Sequence, residues 1–501
     1  MMKTPLINMK NIVMSFGGIK ALKGVDLVIQ PGEIHCLAGE NGCGKSTLIK
    51  VLSGVYTPDA GEIYIDGKLL PSVNPMIAIQ NGIQVIYQDF SIFPNLSVAE
   101  NIALPKLKSE KSKLINWKSM KKVAKEALDK INIQLNLDEK LENLSVANKQ
   151  LVAISRALIQ DAKLIVMDEP TTALTHKEVN KLYEVILDLK SKGISVLFVS
   201  HKMEEIFTIS EKITVLRSGQ NVVSEEATNL NVEKLVYHMT GRKLENKFFE
   251  FTDKGVTPTI ELRDFGLTGV FENINLSVKP GEIVGLTGLL GSGRTELAEA
   301  LFGIHPHNSG EVIINNKVVK ISDVRDAINN RIVYVPEDRL TEGLFLEHSI
   351  ENNLIASNLR KFIKKSKTID KDRIKEDVNY WVLKLGIITD NPKKPVRTLS
   401  GGNQQKVVIA KWLSKKPQLL ILNGPTVGVD IGAKEDIHNL IKDLAEDGMG
   451  VLMITDDIEE LRQNCNRVLI MNKGRLVGEI SGREFKEDVW NSMQEDKVLS
   501  R

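Results

Sequence analysis

Three cysteines, Cys36, Cys43 and Cys465, are all that the 501 residues contain. They are too few and too scattered for a disulfide framework or a zinc-ligand set. Charge of one sign is also missing. Lys+Arg 66 against Asp+Glu 64 leaves a formal +2, so no bulk field draws the chain to nucleic acid. No apolar run approaches the ~18–20 residues of a spanning helix. The longest are LIVM (164–167), VLFV (196–199) and LLIL (419–422), the length of buried parallel strands. The opening MMKTPLINMK lacks the apolar stretch and small-residue cleavage site of a signal peptide, so a cytosolic chain is expected. The basic run RKFIKKSK (360–367) reads as a solvated helix face.

What is present is a repeat. Residues 39–47, GENGCGKST, fit the phosphate-loop pattern G-x-x-x-x-G-K-[ST], and 288–296, GLLGSGRTE, repeat its frame with Arg294 in place of lysine. The offset is 249 (288 − 39), and it also relates Phe16-Gly17 to Phe265-Gly266, PGEI at 31–34 to PGEI at 280–283, and Gln88 to Glu337. Further on, LSVANKQ (144–150) maps to LSGGNQQ (399–405), and MDEPT (167–171) to LNGPT (422–426), at an offset of 255 (399 − 144). A net six residues (255 − 249) therefore enter the second copy between 337 and 399. One unit is written twice.

Within each copy short apolar strands alternate with helical segments. KLIVMDE (163–169) and SVLFVSH (195–201) flank the helix-period stretch 177–192, a βαβ unit. The expected fold class is α/β: two tandem phosphate-loop domains, each a mostly parallel sheet core with a helical insert, at 97–143 and 349–397. Domain boundaries are expected at 1–241 and 259–501, joined by a linker at 242–258.

The chemistry of the first copy follows from its residue types. Gly39, Gly42 and Gly44 let backbone N–H groups close on phosphate oxygens. Lys45 supplies a cation for the β- and γ-phosphates and Ser46 a hydroxyl for Mg²⁺. Asp168, at a strand's carboxyl end, is placed to hold Mg²⁺ through water, and Glu169 to polarise an attacking water.

The phosphate loop, IYQD with Gln88, LSGGNQQ, the DEPT box and the strand-terminal His201 together resemble the ATP-binding cassette superfamily over nearly the whole chain. The tandem layout, LSGGNQQK and GVDIGAK (428–434) look like the fused ATPase subunit of bacterial ribose-, galactose- and xylose-type sugar importers. The resemblance implies an ATPase using ATP and Mg²⁺. It implies a place at the cytoplasmic face of the membrane, with permease subunits, a periplasmic or lipid-anchored solute-binding protein, and no nucleic acid partner. It makes Glu40, Asn41, Cys43 and Thr47 part of the nucleotide loop. Gln88 becomes the link between γ-phosphate, metal and membrane partner, and His201 the switch that contacts γ-phosphate. Phe16 matches the aromatic that stacks on adenine, with a core role as the alternative. Each nucleotide site is expected to be completed by the signature of the other half, so that Ser400, Gly401 and Gly402 serve Lys45, and Ser145 serves the second loop. The other function class is a soluble tandem cassette acting on ribosomes or nucleic acid. The short linker and the loss of one catalytic glutamate stand against it.

The departures from the family pattern segregate. The second copy has Gly288, Gly293 and Thr295 in frame, but Arg294 for Lys, Glu337 for Gln, Asn423 for Asp, Gly424 for the catalytic Glu and Asp456 for His. The first copy's signature carries Val146 and Ala147 where the second has glycines. Under cross-half pairing every loss falls in one site. Asp456 is expected to repel a γ-phosphate. Cys43, beside Lys45 at a helix start, is expected to be the most reactive thiol, with a space-filling role as the alternative. The apolar loops 90–98 and 340–350 are expected to receive a permease, or else to pack the helical insert.

Overall fold

The computed structural model describes residues 4–87, 90–109, 116–171, 174, 176–200, 202–243, 248–253, 255–289 and 291–485. The chain divides into two compact units, Met1–Leu244 and Glu245–Arg501. Gln88 and His201 lie outside the described residues.

The first unit starts with an antiparallel sheet of β1 (Ile7–Phe16), β2 (Ile19–Ile29), β4 (Ala60–Ile65) and β5 (Lys68–Leu70) in the order β2-β1-β4-β5. Its second sheet contains β3 (Ile34–Ala38), β6 (Ile83–Ile86), β7 (Leu164–Asp168), β8 (Ser195–Val199), β9 (Lys212–Arg217) and β10 (Gln220–Glu226) in the order β10-β9-β3-β8-β7-β6. All its pairings are parallel except that of β9 with the edge strand β10. The helices are α1 (Lys45–Leu52), α2 (Pro75–Gln80), α3 (Val98–Ser109), α4 (Trp117–Asp129), α5 (Val146–Leu158), α6 (His176–Ser191), α7 (Met203–Ile209) and α8 (Val232–Thr240).

The parallel strands are apolar on both faces because both faces are covered. Ile165, Met167, Val196 and Phe198 pack with Val98, Ile102, Met120 and Leu128 of the helical insert. Their neighbours Leu164, Val166, Leu197 and Val199 point the other way, onto Leu48 and Ile49 of α1 and onto Ile7, Ile12, Leu22 and Leu27 of the antiparallel sheet. Each such side chain contributes ~1.5–3 kcal/mol on full burial, so the strand register is strongly fixed.

The second unit repeats the plan. Leu420, Leu422, Val451 and Met453 join one cluster, and Leu419, Ile421, Leu452 and Ile454 the other. Its two sheets have the matching four and six strands among the described residues. The six extra residues enter in two steps. Asn101 holds Phe93, and Asn353 holds Phe345, through the same pair of bonds. Here the offset is 252 (345 − 93), so three residues precede Phe345, beside the π-helical turn Arg339–Gly343, and three follow it.

Two expectations are corrected. Part of the stretch read as a linker belongs to the second unit: Phe249 is buried in its core and accepts a bond from Asn466, and Glu250 pairs with Arg483. The basic run at 360–367 is solvent-facing but is not a helix face. It ends the 3-10 helix Ala356–Phe362 and turns back through an Ile363–Ile369 bridge, with Lys361 paired to Asp377 and Lys364 to Asp370.

Candidate active site

The carboxyl ends of β3, β7 and β8 meet at one edge of the parallel sheet, where such sheets bind ligands. β3 runs straight into the phosphate loop, and α1 starts at Lys45. The glycines there are steric necessities. A Cβ on Gly39 would lie 2.3 Å from Leu216 O, and one on Gly44, at φ +111°, 2.8 Å from Leu22 Cδ2. Gly42, by contrast, faces open space within 4 Å, the crown that a phosphate would fill. Lys45 is buried and donates to Gly39 O at 2.7 Å and Glu40 O at 3.0 Å, arched over the loop it serves. Ser46 is exposed beside it, and Glu40 and Thr47 are half-buried at the rim with Asn41 exposed. ATP phosphates fit this cradle of backbone amides at a helix N-terminus.

Asp168 ends β7 with its carboxyl pushed above the ordinary value, first by burial and then by the neighbouring Glu169 charge, while Lys45 and Lys50 pull it down. Two adjoining carboxylates within the influence of Lys45 are, with the exposed Ser46, a donor set that would fit a Mg²⁺ ion. Glu169 itself sits at φ +47°, a left-handed position for a residue with a Cβ.

Phe16 ends β1 at the Gly17-Gly18 turn, 40% exposed, with only an edge contact to Tyr56 at 5.2 Å between centroids. Its counterpart Phe265 is 0% exposed and stacked on Phe271, a core residue. The same aromatic position is thus open in the first copy and part of the core in the second.

In the second unit the corresponding groups neutralise one another. Arg294 Nη1 donates to Gly288 O at 2.7 Å, as Lys45 does to Gly39 O, while its Nη2 lies 3.5 Å from Asp456 Oδ2. Arg294 and Asp456, at the positions that correspond to Lys45 and His201, thus meet as an ion pair. The negative Asp456 is held on the arginine that replaced the lysine. Buried Asn423 donates to the hydroxyls of Thr295 and Tyr334, both at 3.3 Å. Thr295 stands where Ser46 stands, so the amide occupies the hydroxyl that a metal would take. Gly293 opens the helix, and Glu337 lies against Gly424, where a Cβ would approach Glu337 Cγ to 3.0 Å.

The signatures differ in how their serines are used. Ser145 Oγ caps α5 by accepting from Asn148 N at 3.3 Å. Ser400 makes no such cap on the helix Gly401–Leu413, and its Oγ accepts from the Asn403 side chain at 2.9 Å. Gly401 and Gly402 allow close packing, since a Cβ would meet Arg339 Nη2 at 2.8 Å and Ala433 Cβ at 2.3 Å respectively.

Two anchoring residues escaped the sequence reading. Arg156, on the signature helix α5, donates to Phe90 O and Ser91 O, and Arg339 donates to Val427 O and Gly428 O. Both are long-range side chain-to-carbonyl contacts that no local pattern encodes. The favoured thiolate expected at Cys43 is corrected, although Cys43 is the least buried of the three thiols. The residue is buried, and desolvation raises its thiol above the ordinary value against the opposing pull of Lys45. Cys36 is pushed up to about 12 by burial, and Cys465 also well up.

Comparison with known proteins agrees with this geometry. The family described as ABC transporter matches twice, over residues 22–172 and 271–427. The chain is 41% identical over 482 residues to the ribose import ATP-binding protein RbsA of Bacillus licheniformis, covering 96% of this chain and 98% of that one. The protein of the same name from Bacillus subtilis is 40% identical over 482 residues, with 96% and 98% covered, and that of Clostridium perfringens (strain SM101) is 39% identical over 487 residues, with 97% of each covered. With two nucleotide cradles built on one plan and similarity spanning almost every residue, the chain belongs to the ABC transporter family.

Proposed function

We propose that this chain is the ATP-hydrolysing subunit of an importer for a sugar, ribose or a similar monosaccharide or polyol, working through separate permease subunits at the cytoplasmic face of the membrane. A solute-binding protein outside would select the sugar. The observation that supports it most is the division of labour between the copies. The cradle of Lys45 keeps its cation, hydroxyl and carboxylates, while that of Arg294 has closed them on one another. That one-sided loss accompanies full-length similarity to proteins named for ribose import. No helix of the described residues is long and apolar enough to cross a membrane, so a separate permease supplies the path.

Bound ATP supplies the γ-phosphoryl group, and Mg²⁺ offsets charge on its oxygens. Lys45 and the loop amides would hold the phosphates, Ser46, Asp168 and Gln88 would hold the ion, and Phe16 would stack on the base. Glu169 orients a water and takes up its proton, and His201 contacts the terminal phosphate. Ser400, Gly401 and Gly402 complete this site, while Ser145 serves the silent one. Support for that pairing is the sequence distribution of losses, all of which then fall in one site.

Phe93 and Phe345, 51% and 59% exposed, are presented by loops pinned at Asn101 and Asn353, while Phe90 and Leu344 pack inward. These are the surfaces proposed for the permease. Uptake of labelled ribose into cells lacking the chain and complemented with it, with xylose and galactose as competitors, tests the proposal. Ribose uptake that does not depend on the chain, together with failure to co-purify with any permease, rejects it.

A further inference from the structure

Glu205 is a buried carboxylate to which no motif assigns a role. It lies in the first turn of α7 and is only 5% exposed. Its two oxygens are divided between two buried hydroxyls: Thr171 Oγ1 donates to Oε1 at 2.6 Å, and Ser200 Oγ donates to Oε2 at 2.7 Å. The Lys202 ammonium, 3.2 Å away, supplies a countercharge from the rim.

The placement of those hydroxyls matters. Thr171 is two residues beyond Glu169, just past the end of β7, and Ser200 immediately precedes His201 at the end of β8. β7 and β8 are paired neighbours, with Asp168 opposite Val199, and Glu169 N donates to Val199 O at 3.1 Å. One carboxylate therefore ties together the two strand ends that carry the proposed base and the proposed switch histidine. Each tie is a hydrogen bond to a charged acceptor in a dry setting, the strong class of such bonds.

The second unit supplies an internal comparison. Glu460 stands at the repeat offset of 255 from Glu205 (460 − 205) and accepts from Thr426 at 2.7 Å, the counterpart of Thr171. The acid and its threonine thus survive in a copy that has lost its lysine, both strand-end acids and its histidine. There the same Glu460 oxygen also meets His438 Nε2 at 2.8 Å, a buried contact toward the neighbouring helix Ile431–Glu446. The shared threonine bond has a folding role common to both copies. The Ser200 bond ties the carboxylate to the catalytic edge of the first.

We infer that Glu205 is a positioning residue for ATP hydrolysis, holding Glu169 and the segment of His201 in working register through Thr171 and Ser200. The inference rests on the proposed catalytic role of Glu169. Loss of the tether leaves two buried hydroxyls without their acceptor and lets the strand ends drift. A displacement of ~1 Å at a reacting group is enough to cost about 100-fold in rate.

The test uses the full chain and compares Glu205→Gln with Glu460→Gln. Five quantities are read: kcat and KM for MgATP, affinity for a fluorescent ATP analogue, thermal midpoint, and hydrogen exchange of peptides 166–171 and 197–203 without nucleotide. Glu205→Gln is expected to bind nucleotide within about threefold of the parent, to lose about 10- to 100-fold in kcat, and to exchange faster in both peptides. Glu460→Gln is expected to lower the thermal midpoint comparably while kcat stays within about twofold, because its copy lacks a catalytic glutamate. Glu205→Ala is expected to show the same kcat defect, but the isosteric variant decides the matter where the alanine chain does not fold. A Glu205→Gln rate within about twofold of the parent overturns the inference, as does an equal kcat loss in Glu460→Gln, which would make the tether purely structural. Glu169→Gln run alongside separates the two levels. Hydrolysis surviving in it removes the catalytic assignment itself, whereas loss in Glu169→Gln but not in Glu205→Gln removes this inference alone.

Discussion

Glu169 and Gly424 occupy the same left-handed backbone position in the two copies, at φ +47° and +56°. Each donates its amide to the neighbouring strand end, Glu169 to Val199 O at 3.1 Å and Gly424 to Ile454 O at 2.8 Å. The backbone that presents a strand-end acid has thus been kept in both units, and only the side chain differs. A residue with a Cβ pays about 1–2 kcal/mol at such a φ, which glycine avoids. The first copy tolerates this strain at the place where the proposed base is needed, as strained positions at functional sites are tolerated elsewhere.

Glu169→Gln keeps the shape and the strain and removes the base. Steady-state hydrolysis should fall by at least about 100-fold, within the range for a positioned acid–base group, while ATP binding persists. A mutant retaining more than about a tenth of the parent rate would show that another group accepts the proton.

Glu169→Gly should separate stability from activity. The left-handed position relaxes, so unfolding of the first unit should require about 1 kcal/mol more, while hydrolysis is lost as in the glutamine variant. Denaturant titration in parallel with an ATPase assay reads both. A glycine variant less stable than the glutamine variant would refute the strain argument.

Gly424→Glu should not revive the second site. Its Cβ would come within 2.9 Å of Val427 Cγ2 and 3.0 Å of Glu337 Cγ, at a φ that disfavours it. Asn423 would still be bonded to Thr295, and Arg294 to Asp456. The expected outcome is a loss of about 1–3 kcal/mol in stability and no new hydrolysis in a Glu169→Gln background. Restored turnover in that double variant would show that the missing glutamate alone silences the second copy.

The signature serines give a test of pairing. Ser400→Arg should abolish hydrolysis as thoroughly as Lys45→Ala, although the two positions lie in different halves. Ser145→Arg should cost far less, since the proposed pairing gives Ser145 to the site with no catalytic glutamate. Equal damage from both would contradict a single dominant site.

The sheet core and the phosphate loops were legible in the sequence because they are local. Strands buried on both faces read as unbroken apolar runs, and the phosphate loop needs small residues at fixed spacing. The repeat doubled every such signal. What the sequence did not disclose depends on contacts between distant residues. The expected repulsion by Asp456 did not anticipate its ion pair with Arg294, and the helix-start argument for Cys43 omitted the desolvation that decides it. Glu205 does leave a signal in the sequence, because the repeat alignment retains an acid at 205 and 460 and a threonine at 171 and 426. Phe16 and Phe265 show the limit of such alignment, since the same position is open in one copy and core in the other.

Docking on the permease is tested at Phe93 and Phe345. Single exposed aromatics are common on protein surfaces and by themselves carry little weight. These two are held in place: Asn101 and Asn353 each fix the backbone of the residue they present on both its N–H and its C=O, and Arg156 adds bonds to Phe90 O and Ser91 O. An aromatic on a pre-ordered loop loses little conformational freedom on association, which is what an interface anchor requires. Phe93→Asp and Phe345→Asp remove the anchor without touching either phosphate cradle. Each should leave basal MgATP hydrolysis of the isolated chain within about twofold, while lowering capture by the permease and sugar uptake by about tenfold or more, the effect of losing more than 1 kcal/mol at a hot spot. Leu344→Asp serves as the contrast, because that side chain is buried in the second unit's core and should damage folding first. Full permease capture by both phenylalanine variants, with hydrolysis also unchanged, would place the docking surface elsewhere.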